Sequence, residues 1–437
     1  MSLLSYKSLL LTLRTVSCRA CGCPQQVQHL VRSYSHHSGF PEGGPLKSQS
    51  LQKLEEYSTY CGRTQRNLSA VASLMLRKEQ QRPLSRFDFL DMEDIEEMTI
   101  KAERSRNFRR FIVNPDLANL IVECLDGDLS ENNAVILECN PGPGVLTRAL
   151  LNSGAQRVVA LESDQQFFPA LQSLEKRLNG QLEVVHCDFF KLDPIGRGPM
   201  RPPAMLSEKL FNDLGISEVA WTADIPIKVV GIFPQKNERN MLWKLVYALF
   251  ERISVFQHGR IEINMFISEK EYTKLTAEPG NLKHYQALSA LWQMACEIQL
   301  LHKEPWSSFV TNSKNGACGI PRSALTNDHL CLVRLTPRRD LFNQTLTAAN
   351  ASTLVVMLKQ CLTKRKAKLI DRLESWCPGS GEKLLKQLDL PENILTGDVY
   401  PEEYKQLFEA MEHSQEFSHS WLYDEVLENI NSTVSHI

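Results

Sequence analysis

The stretch AVILECNPGPGVLTRALL, Ala134–Leu151, decides how the rest of the chain is read. Its apolar run up to Glu138 predicts a short buried strand, Asn140 to Gly144 a tight Gly/Pro loop, and VLTRALL the first turns of a helix. Strand, glycine loop and helix together let backbone approach a ligand closely and present the unpaired N–H groups of a helix N-terminus. A dinucleotide-binding loop needs G-x-G-x-x-G. Here Gly142 and Gly144 are followed by Val145-Leu146-Thr147, so the third glycine is missing. Pro143 also removes a donor that could face a pyrophosphate. The loop suits a ligand without phosphates, with the carboxylate of Glu138 at its mouth.

Two further strand ends enlarge this site. ALESD closes on Glu162, 20 residues after Gly142, the spacing at which a carboxylate accepts hydrogen bonds from ribose hydroxyls. HCDFF places Asp188 where a side chain can accept from an adenine amino group. Adenine and ribose without a pyrophosphate describe S-adenosylmethionine. Any one of these carboxylates could be a solvated loop residue. Three at successive strand ends beside a GxG loop point to a cofactor cleft.

Outward from the loop, residues 106–340 alternate strands with helices. AVILECN, RVVALES, LEVVHCD, KVVGIFP, RIEINMFI, ACEIQLLH and LCLVRLTP are the strand candidates. Rich in Val, Ile and Leu and short, they predict a mainly parallel sheet covered on both faces, an α/β Rossmann-like domain. PIGRGPMRPPAM predicts a long surface insertion. Residues 341–437 have helical spacing without a convincing strand and predict a small C-terminal all-α domain. Its end is acidic, with ten Asp or Glu against one Lys in residues 391–437. Residues 46–105 read as a polar extension, in which DMEDIEEM gives way to a basic run.

Residues 1–45 have a different character. The first acidic residue is Glu42, preceded by Lys7, Arg14, Arg19 and Arg32 among many Ser and Leu. This composition predicts a mitochondrial transit peptide followed by a disordered segment. The sequence holds 12 cysteines, and only Cys18, Cys21 and Cys23 cluster. No second Cys/His pair follows at finger spacing, so no metal site is expected. No apolar run is long enough to span a bilayer, and no membrane partner is expected. A net charge of −2 leaves any nucleic-acid role to local patches.

In order and spacing, FRRFIVNPDLANLIV, LECNPGPGVLT, ALESD, HCDFFKLD, KVVGIFP and EPWSSF resemble the ribosomal RNA adenine N6-dimethyltransferases over residues 106–375. The resemblance implies a Rossmann-like S-adenosylmethionine-dependent methyltransferase fold with a small all-α domain. It places Ile112 against the cofactor, Gly142 and Gly144 in the loop, Glu138 at the loop mouth, Glu162 on the ribose and Asp188 on the adenine amino group. It also places Phe309 at the family's base-contacting aromatic position.

Three departures qualify it. Asn140 replaces a glycine, and Asn is the residue that best tolerates a left-handed backbone there. Arg109-Arg110 replace a Gln-Asn pair, removing amide contacts and adding charge. Ile232, Phe233, Pro234 and Gln235 replace Asn-Leu-Pro-Tyr. In the family that Asn and a backbone carbonyl accept the N–H bonds of a poorly nucleophilic adenine amine, and the Tyr stacks on the flipped base. Here the side-chain acceptor and that ring are gone, although Phe233 retains a ring that could partly stack. Loss of one such polar contact costs about 10²–10³ in rate, and lost stacking a further ~1–3 kcal/mol. No residue is therefore assigned as catalytic. The proline-rich loop expected after Phe309 is also replaced, by VTNSKNG.

Within the family, LECNPGPG, VVALESD, HCDFFKLDP, WTADIP and EPWSSF resemble a mitochondrial member that serves transcription. That resemblance implies an initiation factor of the matrix nucleoid. It would act with the mitochondrial RNA polymerase and mitochondrial transcription factor A on melted promoter DNA, with weak residual methylation. The alternative is an active enzyme dimethylating two adjacent adenosines of a small-subunit mitochondrial rRNA hairpin. The altered strand end favours the first. Candidate phosphate contacts are Arg104, Arg106, Arg109 and Arg110, and the run Lys364, Arg365, Lys366 and Lys368. The acidic tail is expected to meet a basic polymerase surface or to restrain DNA binding.

Overall fold

All seven predicted strands form, and they join one sheet. They are β1 (Val135–Cys139), β2 (Val158–Glu162), β3 (Leu182–His186), β4 (Ile227–Ile232), β5 (Ile261–Ser268), β6 (Cys296–Pro305) and β7 (His329–Pro337). The sheet order is β3-β2-β1-β4-β5-β7-β6. The five strands from β3 to β5 run parallel. β7 is antiparallel to both β5 and β6. The computed structural model describes residues 89–414 except 92–94, 106–108, 126–128, 130–132, 195–199, 235 and 312–328, together with 416 and 422. Residues 1–45 with their cysteine cluster, most of the polar extension and nearly all of the tail beyond 414 lie outside the described residues. All that is described belongs to one compact unit, Gln81–Ile437.

The period of two along a strand sorts the apolar side chains onto two faces. Ile136, Val158, Ala160 and Val230 pack with Ile121, Ala149 and Leu150 of the helices Pro115–Cys124 and Val145–Asn152. Leu137, Val159, Leu161 and Val229 pack on the other face. There they meet the helices Glu238–Glu251 and Ala287–Ala295. Strands buried on both faces need no polar alternation, which is why their sequences read as continuous Val/Ile/Leu runs.

The C-terminal region forms the helices Ala351–Thr363, Leu369–Trp376, Gly381–Gln387 and Pro401–Glu412. Leu354, Leu358, Tyr404 and Leu407 share one apolar cluster with Leu137 and Val229, so these helices extend the core of the sheet. The Tyr285 hydroxyl donates to the Val399 carbonyl at 2.9 Å, and that of Tyr404 to the Thr396 carbonyl at 2.6 Å. Those bonds remove the penalty of burying two phenols.

The register places the site. Cys139 pairs with Leu161 of β2 and with Gly231 of β4, while Glu162 pairs with His186 of β3. The carboxyl ends of β1 to β4 therefore share one rim. β2 lies on one side of β1 and β4 on the other, so the strand order reverses at β1. Ligands of open α/β sheets bind at that point. The Gly/Pro loop after β1 and the apolar end of β4 face each other across it.

Candidate functional site

A cleft of about 680 Å³ opens on this rim, lined among others by Ile112, Glu138, Asn140, Asp188, Ile232 and Phe233. It lies within the size range of small-molecule sites. The loop that shapes it is held in a left-handed conformation at Asn140 (φ 55°), Gly142 (φ 59°) and Gly144 (φ 78°). Asn140 keeps the turn that glycine would make, and its Oδ1 accepts from the Ser163 hydroxyl at 2.6 Å. Gly142 is required by space as well as by φ. A Cβ there would stand 2.5 Å from Cδ1 of Phe111.

The three carboxylates read from the sequence occupy different electrostatic settings. Glu138 is buried, and burial pushes its carboxyl up to about 8, against the lowering effect of a hydrogen bond from Thr147 Oγ1 at 2.6 Å. Asp188 borders the cleft. Its Oδ1 accepts from the Phe190 amide at 3.1 Å, capping the turn Phe189–Lys191, and its Oδ2 lies 3.2 Å from Lys191 Nζ. The insertion after β3 folds back here, because the Asp188 amide donates to the Pro203 carbonyl.

Glu162 is fully buried and does not border the cleft. Arg109 covers it. Nη1 donates to Oε1 at 2.6 Å and Nη2 to Oε2 at 2.9 Å. The amides of Gly142 and Asp164 donate to the same carboxylate at 2.8 and 2.6 Å. Nη2 reaches the Asn140 carbonyl as well, at 2.9 Å, and the guanidinium lies 4.5 Å from the Phe111 ring centroid. A backbone bridge between Phe111 and Val310 anchors this segment. Arg109, expected to meet phosphate, is thus turned inward with its side chain 13% exposed. The sequence did carry a signal. A cation replaces an amide three positions before Ile112, which the resemblance sets against the cofactor.

The methyl-acceptor side also differs from expectation. Phe233 is 3% exposed and packs against Phe190 at 5.2 Å, so its face is already covered. Ile232 is half-buried against the core, and Pro234 adds no polar side chain. Gln235 lies outside the described residues. Phe309, expected to touch a base, is a core residue, 3% exposed and edge-on to Phe266 at 5.0 Å. An aromatic beside a Trp-Ser-Ser turn gives no sequence sign of which way it faces.

Of the cations, Arg110 borders the cleft and stacks over Trp306 at 5.4 Å, while Arg104 is exposed at the end of the helix Glu96–Arg104. Arg106 lies outside the described residues. Lys364, Lys366 and Lys368 are exposed, but Arg365 is half-buried and donates to the Tyr285 carbonyl at 3.0 Å. Lys364, Arg365 and Lys366 border a separate depression with Leu282 and Thr363. Phe190, Lys191 and Lys236 border the cleft without having been singled out in the sequence. Among the described residues no group of His, Cys, Asp or Glu is arranged to hold a metal ion, and no helix is long and apolar enough to cross a membrane.

A family model described as ribosomal RNA adenine dimethylase matches residues 101–413. The chain is 46% identical over 332 residues to the human protein named dimethyladenosine transferase 2, mitochondrial, covering 75% of this chain and 84% of that relative. It is 48% identical over 322 residues to the Bos taurus protein of the same name, covering 74% and 81%. A solved dimethyladenosine transferase from Plasmodium falciparum superposes with a TM-score of 0.44 at 15% identity, over 67% of this chain and 94% of that one.

Proposed function

Because the chain belongs to the ribosomal RNA adenine dimethylase family, we propose that it puts this scaffold to use as a mitochondrial transcription initiation factor. In this reading it works with the mitochondrial RNA polymerase and mitochondrial transcription factor A, helps to open promoters and holds melted DNA. Adenine methylation is slow and secondary.

The cofactor of this family is S-adenosylmethionine, which supplies a methyl group bonded to a cationic sulfur. The residues present fit it in part. Asp188 offers an acceptor at the cleft for the adenine amino group, Ile112 an apolar wall, and Asn140 and Pro141 bring the start of the glycine loop to the lining. The ribose carboxylate, Glu162, is present but engaged by Arg109.

The observation that carries the reading is the end of β4. Ile232, Phe233 and Pro234 bring no side-chain acceptor to the rim, and the one aromatic ring is packed under Phe190. From Ile232, Phe233 and Pro234 an adenine would meet backbone carbonyls only, so its amine would gain little activation at this strand end. Arg110, Lys191 and Lys236 are on the cleft lining, Lys191 beside Asp188. Cations of this kind hold nucleic-acid phosphates whether or not chemistry follows, and single strands need little else beyond stacking surfaces. The mitochondrial names of the relatives support the location.

A second reading, an rRNA dimethyltransferase acting on adjacent adenosines, is favoured by Asp188 and the preserved loop, and by the relatives' printed names. Two assays separate them. Transcription from a promoter by purified mitochondrial RNA polymerase and transcription factor A should rise when the chain is added and be indifferent to S-adenosylmethionine. Methyl transfer to a small-subunit rRNA hairpin should be slow, and roughly 10²-fold faster in Ile232→Asn/Gln235→Tyr. A wild type as fast as that variant, with no effect on transcription, would establish the second reading.

A further inference from the structure

The Glu162 carboxylate is saturated. Four donors, two from Arg109 and one each from the Gly142 and Asp164 amides, meet its two oxygens, and a carboxylate offers about four lone-pair sites. A ribose diol has to donate to the same oxygens, so it cannot enter while the guanidinium stays. The coverage is physical as well as electrostatic. Neither Glu162 nor Gly142 borders the cleft, whereas Arg109 does.

We infer that Arg109 is an internal competitor for the cofactor, a latch that must leave Glu162 before the ribose can bind. The backbone of the latch is tied down by two hydrogen bonds between Phe111 and Val310, at 2.8 and 3.0 Å, so the movement belongs to the Arg109 side chain. The closed pose is not fully satisfied, since Arg109 Nε is buried without a hydrogen-bond partner. Leaving a buried donor unmet is costly, which makes the latch displaceable. A glutamine at this position would keep a polar side chain but remove the charge that competes for Glu162. Cofactor affinity is thereby lowered without altering any group that contacts the cofactor itself.

The inference rests on the assignment of S-adenosylmethionine to this cleft, and calorimetry with S-adenosylhomocysteine tests both separately. Arg109→Gln should bind at least tenfold more tightly than wild type. Arg109→Lys should be intermediate, because an ammonium can pair with one carboxylate oxygen and leave the other open. In Arg109→Gln/Glu162→Gln the gain should vanish, since the uncovered carboxylate is its source. Circular dichroism melts establish that each variant is folded, and if Arg109→Gln does not fold, Arg109→Lys decides the matter. Affinity unchanged or weakened in the folded Arg109 variants overturns the latch while leaving the cofactor assignment intact. Absence of binding in every folded form overturns both.

Discussion

Replacing Glu138 by Gln should convert a pH-dependent stability into a flatter one. The carboxyl is buried at the end of β1, its Oε2 takes the Thr147 hydroxyl, and burial raises it from an ordinary value near 4.5 to about 8. Its proton is therefore held more tightly in the folded chain than in the unfolded one. The sign follows directly. The contribution is complete below about pH 4.5, and it is lost as pH rises through about 8, because across that window the folded state binds the extra proton. The slope is about 1.4 kcal/mol per pH unit, and between pH 5.5 and 7.5 the two titration curves integrate to roughly 2–3 kcal/mol. Glutamine keeps an acceptor for Thr147 and cannot ionise. Urea unfolding of both proteins at pH 5.5, 6.5 and 7.5 should show wild type losing roughly 2–3 kcal/mol relative to the variant, a large part of a domain's usual 5–15 kcal/mol. Parallel stability curves would refute the argument, because every other titrating group is common to the two chains.

Other expectations follow from the same geometry. Gly142→Ala should cost about 2–4 kcal/mol in urea unfolding, from left-handed strain and a methyl driven into Phe111, whose ring is backed by Phe167 at 5.3 Å; a loss under about 0.5 kcal/mol would contradict it. Phe309→Ala should destabilise by about 3–5 kcal/mol as a core deletion, and Phe309→Leu should preserve both stability and nucleic-acid affinity. A selective loss of affinity in Phe309→Leu would restore the base-contact role. Changing Lys364, Lys366 and Lys368 to Ala should weaken single-stranded DNA binding and reduce its salt slope by about 2, with no change in melting temperature. An unaltered slope would mark that run as a solvated face.

How far the molecule could be read from its residues depended on whether a local cause was sufficient. The seven strands were legible because burial on both faces writes itself as short Val/Ile/Leu runs, and Asn140 was legible because few other residues adopt φ 55° cheaply. Side-chain partnerships across long separations were not. Arg109 stands 53 positions from Glu162, and an arginine in a basic run looks the same whether it meets solvent or a buried carboxylate. Phe309 and Arg365 are further cases. Each carries a chemistry suited to nucleic acid, and each is taken up by the fold, one by Phe266 and the other by the Tyr285 carbonyl.

The departures from the family pattern gain force when assigned to separate steps. Arg109 acts on occupancy, because it competes for the carboxylate that would hold the cofactor's ribose. The apolar end of β4 acts on the chemical step, because no side chain there draws electron density toward the adenine amine. Penalties on successive steps multiply. A tenfold loss of occupancy below saturation and a 10²–10³ loss in the methyl-transfer step would together lower turnover by roughly 10³–10⁴. Neither involves Arg110, Lys191 or Lys236, the cleft-lining cations proposed to hold the phosphate backbone. Restoring only one step should therefore recover only part of the rate. Arg109→Gln should raise methyl transfer at low cofactor concentration and leave the saturated rate unchanged, whereas Ile232→Asn should raise the rate by the same factor at every cofactor concentration. If either substitution alone recovered the full activity, the two losses would not be independent, and the separation of cofactor binding from base activation would have to be abandoned.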